Sequence, residues 1–113
     1  MINKQNRLKK NRHFKFIYKH GETKYSGLLG LVFAKTRIKP IKVGFSVSKK
    51  IGKSHIRNKT KRRLSGAFMQ IKNNIASTHN LIFVARPGLE NSTFVEIKQY
   101  MIDILKRAKL YVD

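Results

Sequence analysis

Side chains able to carry acid, base or metal chemistry are few and scattered in this 113-residue chain, whereas cations are dense. There is no cysteine, and 5 acids stand against 26 lysines and arginines, for a formal net charge of +21. Metal-dependent phosphodiester cleavage needs clustered carboxylates, and metal-free cleavage needs paired histidines or a histidine with a lysine. So few dispersed acids do not build the first. His13, His20, His55 and His79 fall in separate elements, apart from His13 and His20, which sit roughly two turns apart on one helix that carries no carboxylate of its own. Each reads as a surface or phosphate contact, not a general base. Gly52-Lys53-Ser54 resembles the end of a phosphate-binding P-loop, yet the glycine required at position 47 is Val47. No catalytic residue is expected.

The cations carry the chemistry that remains. Between Lys49 and Arg63, 8 of 15 residues are Lys or Arg and none is acidic. Such a run repels itself unless a polyanion neutralises it, which points to a phosphate backbone. Ordinary exposed helices interleave Glu with Lys to gain i,i+4 pairs, and this one does not. Arg forks onto two phosphate oxygens, and Asn58 can both accept and donate at a base edge or a 2′-hydroxyl.

The elements that position these groups follow from the apolar spacing. Gly52 permits a tight turn after a strand, and a helix should begin at Ser54 or His55, whose backbone N–H groups suit an anion. Leu64, Ala67, Phe68, Ile71 and Ile75 recur at three- and four-residue steps and form its packed face. At about 100° per residue, Arg57, Asn58, Lys61 and Arg62 share a neighbouring arc over the first turns. The back half anchors, and the front half presents cations.

The other elements complete one domain over 1–113, beginning with a basic, mobile arm over 1–10. A helix is expected from Asn11, as N-cap, to Gly21, as the residue past its end, with Phe14, Ile17 and Tyr18 on one face. Phe14 and Tyr18 could stack on unpaired bases or fill the core. Leu28–Phe33 reads as a strand, followed by a basic turn and an antiparallel neighbour over Ile41–Val47. In the latter, Val43, Phe45 and Val47 alternate with Lys42, Gly44 and Ser46, leaving one small, polar face on which a chain can lie. Leu81–Ala85 is apolar throughout and should be buried on both faces, making a strand-helix-strand unit with a parallel pair. Thr93 and Glu96 form a capping box for a last helix whose Phe94, Ile97, Met101, Ile104, Leu105 and Ala108 face the core.

Charge and composition bound the setting. Up to Leu89 the only acid is Glu22 and the remaining four follow, so the first three-quarters should face the polyanion while the last helix packs behind. The absence of cysteine suits a reducing cytoplasm. No stretch resembles a signal peptide or a membrane span, and no membrane partner is expected.

The run VGFSVSKKIGKSHIRNKTKRRLSGAF resembles the signature of the bacterial ribonuclease P protein subunit, and NRLKKNRHFKFIYKHG resembles the same family's first helix. Two separated motifs in the right order make the likeness specific, and it extends over almost the whole chain. It implies an α+β two-layer sandwich of order αβββαβα, with a mixed sheet and a left-handed βαβ crossover, like the second domain of a small-subunit ribosomal protein. It also implies an endonuclease whose active site and Mg2+ ions reside in a catalytic RNA, with the protein assisting removal of the 5′ leader from precursor tRNA. On that likeness Lys49, Lys50, Lys53, Arg57, Asn58, Lys61, Arg62 and Arg63 would contact the catalytic RNA. Phe14, Tyr18, Val32, Ser46 and Ser48 would form the leader cleft. The chain departs from the family in two places. Val32 stands where an aromatic is usual, and Ser65-Gly66 replaces Arg and then Glu or Gln, a loss of charge that Arg63 would partly offset. A ribosomal or other basic structural RNA-binding protein is the alternative; a duplex DNA binder and an independent nuclease are further ones.

Overall fold

The structure, a computed structural model, describes residues 7–113. Seven regular elements follow in order: α1 (Asn11–His20), β1 (Glu22–Ser26), β2 (Leu29–Lys35), β3 (Val43–Ser46), α2 (Ser54–Ile71), β4 (His79–Ala85) and α3 (Phe94–Arg107). This is the expected αβββαβα order. Residues 1–6 of the proposed arm lie outside the described part. The end of that arm is tied down: the Leu8 side chain is buried, and its N–H donates to Val43 O at 2.9 Å.

The four strands are ordered β1-β2-β4-β3, with β3 and β4 parallel and the other pairs antiparallel. The expected direct pairing of the second and third strands is therefore corrected, because β4 lies between them. The physical reason is burial. β2 and β4 are the most buried strands, with apolar runs over Leu31–Ala34 and Leu81–Ala85, and take the centre, while the short β3 and the mostly exposed β1 take the edges. Spacing alone did not reveal β1, since ETKYS shows neither alternation nor an apolar run.

One face of the sheet carries the main core, where Leu31, Phe33, Val43, Leu81 and Phe83 pack with Leu64 and Phe68 of α2 and Ile97 and Met101 of α3. The other face is covered only in part, by α1. Ile17 and Leu8 pack there on Val32, Ala34 and Ile82, with Phe14 and Val84 at the margin. Gly21 ends α1 in an extended conformation (φ −87°), not the left-handed one that a C-terminal glycine suggests. Glycine is needed there for a different reason: a Cβ would lie 2.5 Å from Ile17 O and 2.7 Å from Phe33 O.

The two long helices start differently. α3 has the expected capping box: Glu96 N donates to Thr93 Oγ1 at 3.1 Å and Thr93 N donates to Glu96 Oε1 at 2.8 Å. Hydrogen bonding from Thr93, the backbone N–H first and the side chain second, holds the Glu96 carboxyl below its usual range. α2 has no side-chain cap and no acid in its first turn. No acid of its own offsets the positive end of its dipole.

Candidate RNA-binding surfaces

Strand alternation gives β3 two different functional sides. Phe45 belongs with the main core, packing its ring against Phe83 (5.9 Å, 22°) and edge-on to Phe68 (6.3 Å, 75°). Gly44 and Ser46 point the other way, toward α1.

On the α1 side, the strand registers set up two rows across the sheet. Thr23, Val32, Ile82 and Gly44 make one, and Tyr25, Gly30, Val84 and Ser46 make the next. α1 lies on the first row: a Cβ on Gly44 would come within 2.7 Å of the Phe14 ring. Tyr18, one turn further along the same helix face, is 46% exposed. The second row is the floor of a shallow groove beside α1. Ser46 and Val84 are half-buried, and the Tyr25 ring lies over Gly30. Arg86 extends that floor, with its guanidinium 5.1 Å from the centre of the Tyr25 ring. Ser48 is exposed just past the end of β3.

Val32 fits this groove poorly. It points toward α1 as expected and Phe33 points away, but at 5% exposure Val32 lies under the helix and offers almost no surface to a ligand. A larger aromatic there would have to emerge past α1; valine ends beneath it. The groove's apolar surface comes instead from Phe14, Tyr18, Val84 and Tyr25. Of these, Val84 and Tyr25, together with Gly30 and Arg86, were missed from the sequence. Tyr25 lies on the strand that spacing did not reveal, and Gly30 carried the one signal available, a small residue inside an apolar run.

On the other side, the 3₁₀ turn Lys49–Ile51 and Gly52 (φ +147°) carry the chain from β3 into α2. Lys49, Lys50 and Lys53 are exposed along this turn. Arg57 is half-buried; its Nη2 donates to Ser54 Oγ at 3.1 Å, while its Nε is buried without a hydrogen-bond partner. Asn58, Lys61 and Arg62 meet Arg7 around one cavity of about 590 Å3. Arg63 does not join them. Its Nη1 donates to Ser92 O at 2.8 Å and Glu90 O at 3.4 Å, tying α2 to the turn before α3. The sequence led to the expectation that Arg63 would offset part of the charge lost at Ser65-Gly66; in the fold its Nη1 is held by backbone carbonyls on the α3 side, away from the cavity.

Among the described residues, no three of His, Cys, Asp and Glu come together to hold a metal ion. The groups that converge are cations, which do not fit Mg2+. No helix among them is long and apolar enough to cross a membrane.

A family profile described as Ribonuclease P matches residues 2–109. The chain belongs to the ribonuclease P protein family. It is 39% identical to the ribonuclease P protein component of Clostridium botulinum (strain Eklund 17B), covering 95% of this chain and 91% of that one. The corresponding Alkaliphilus metalliredigens protein is 31% identical, over 93% and 95%. The structure of the Staphylococcus aureus RNase P protein superposes with a TM-score of 0.86 at 32% identity, covering 96% of this chain and 99% of that one. The Thermotoga maritima RNase P protein gives 0.81 at 27%, over 89% and 96%. As a family member, the chain is the protein part of an endoribonuclease that works with an RNA subunit, and tRNA 5′ processing fits the family. The family assignment replaces the ribosomal-protein, DNA-binding and independent-nuclease alternatives.

Proposed function

We propose that this ribonuclease P protein binds the catalytic RNA through the turn and front half of α2, and holds the 5′ leader of precursor tRNA in the groove beside α1. The observation that carries this reading is the split at β3. Phe45 and Ser46 are adjacent in the chain, yet one borders the cation-lined side and the other the groove floored by small residues. Two separate RNA-facing surfaces on one small domain suit a subunit placed between two RNAs.

The chemistry asked of the protein is modest. The reaction hydrolyses one phosphodiester bond, releasing the leader and leaving a 5′ phosphate on the mature tRNA. Lys49, Lys50, Lys53, Arg57, Lys61 and Arg62 neutralise phosphates and so reduce repulsion between two polyanions. The uncapped, acid-free start of α2 adds its positive end. Phe14 and Tyr18 wall the groove, and a single strand lying across Ser46 and Val84 can stack bases on Tyr18 and on Tyr25, which covers Gly30. Gripping the leader fixes the scissile bond with respect to the RNA active site, which lowers the barrier by positioning alone. Mg2+ is assigned to the RNA, and the cysteine-free composition suits the cytoplasm.

The test is cleavage of precursor tRNA by a bacterial ribonuclease P RNA at low magnesium, with and without the protein. Added protein is expected to restore cleavage at the correct 5′ position, with no cleavage by protein alone. Salt-sensitive binding to the RNA with cleavage unchanged would overturn the reading.

A further inference from the structure

We propose that the cavity between α2 and the edge strand β3 is a nucleobase pocket, filled in the assembled enzyme by one unpaired base of the catalytic RNA. The proposal rests on the reading of α2 as the surface that meets that RNA, and it adds a shaped site to what is otherwise a field of charge.

The construction favours a base over other occupants. Phe45 lines the cavity with an aromatic surface, and its ring is fixed by Phe83 and Phe68 behind it. A clamped ring at the margin of a core is a stacking platform that accepts any base and pays little entropy on binding. Asn58, Lys61 and Arg62 stand at i, i+3 and i+4 on one side of α2, and Arg7 approaches from the segment bridged to Val43. The Asn58 amide supplies a donor and an acceptor for a base edge, and the three cations can take the flanking phosphates. No acid lines the cavity. That combination is unsuited to a cationic ligand and gives a purely apolar one nothing to do with three cations.

Room for the base comes from Ser65 and Gly66, which also line the cavity. A long side chain at Ser65 would take up that room, so the departure from the family's Arg at this position gains a physical meaning. Gly66 acts differently: a Cβ there would point toward α3 and lie 3.1 Å from the Phe94 ring, so glycine lets the two helices approach while its backbone borders the cavity. At about 590 Å3, the cavity falls within the range of small-ligand sites, about 300–1,000 Å3, and has space for a base with its sugar. The source is the catalytic RNA and not the leader, because the cavity lies on the Phe45 side of β3 and the leader groove on the Ser46 side.

The experiment uses full-length protein and a bacterial ribonuclease P RNA, reading affinity together with reactivity of unpaired bases toward dimethyl sulfate and carbodiimide. Wild-type protein is expected to shield one unpaired base from these reagents. Ser65→Leu fills the pocket without changing charge; it should weaken binding by roughly 5- to 150-fold, the loss of one stacked base, and restore that base's reactivity. Asn58→Ala, which keeps the cavity open, should re-expose the base edge even if Ser65→Leu perturbs folding. Lys50→Ala should weaken binding with the protection pattern intact. Wild-type-like binding and protection in both pocket variants, or no shielded base in a wild-type complex that still stimulates cleavage, would overturn the pocket while leaving the RNA-binding role of α2 standing. A wild-type protein that neither binds the RNA nor stimulates cleavage would overturn both.

Discussion

Arg63 and Arg62 are neighbours in the sequence with opposite employment. Arg62 reaches the cavity that faces outward, whereas the Arg63 guanidinium meets carbonyls 27 and 29 positions further along the chain. Helical phase turns Arg63 toward the α3 side, but its acceptors could not be read from spacing, because they belong to a turn brought there by tertiary packing. Arg63→Ala is therefore expected to act on stability: a loss of about 1.5–3 kcal/mol, the usual worth of hydrogen bonds from a charged donor, seen as a lower urea midpoint. Its affinity for the catalytic RNA should fall no further than that of Lys72→Ala, and a much larger fall would return Arg63 to the RNA surface. His79 behaves in the same context-dependent way. Burial, followed by Lys35, pushes its pKa below the ordinary 6.5, against a smaller opposing pull from Glu22. The folded state thus favours the neutral ring. Its contribution to stability is complete above about pH 6.5 and is lost as the pH falls through that value toward the lower folded pKa. Between about pH 8 and pH 5, the urea midpoint of His79→Gln should fall less than that of the wild type, and equal falls would contradict the assignment.

At the scale of elements, legibility followed burial. α3 was readable because its apolar period and capping box agree, and α2 because its apolar back half and cationic front half occupy different arcs. β4 was readable because a strand buried on both faces leaves an unbroken apolar run. The edge strand β1 left no such trace, and with it went Tyr25. Pairing of β2 with β3 was the natural inference from two strands joined by a turn, but neither strand states in its own sequence which third strand will come between. Gly21 illustrates a close approach that resembles a cap in sequence. Because a Cβ there would meet backbone oxygens of both α1 and β2, Gly21→Ala cannot be absorbed by a side-chain movement and must shift the helix. A loss of about 1–3 kcal/mol is expected, read as a lower melting temperature. α1 forms the groove wall and α2 lies on the other face, so affinity for precursor tRNA should fall more than affinity for the catalytic RNA. Equal losses would mean that the two surfaces are not separable.

Across the whole molecule, the proposed function rests on a net charge of +21 and on a sheet with its main core on one side and only partial cover on the other. α2 and α3 close the main core, and the cations of α2 remain in front. The smaller α1 leaves Ser46 and Val84 only half-buried beside it, with the Tyr25 ring covering Gly30 at the far end of the row. Charge, family and the placement of exposed cations along the turn and front of α2 were legible in the sequence; the groove floor was only half legible, since it is assembled from four strands, one of them unrecognised. The central claim is that the protein recognises the leader and not merely tRNA charge. The most direct measurement compares how much the protein raises the affinity of the catalytic RNA for precursor tRNA and for mature tRNA, each with wild-type protein and with Tyr18→Ala. Tighter binding of the precursor, no comparable gain for mature tRNA and partial loss of the precursor gain in Tyr18→Ala are expected. An equal gain for both tRNAs, unchanged by Tyr18→Ala, would contradict leader recognition by the groove.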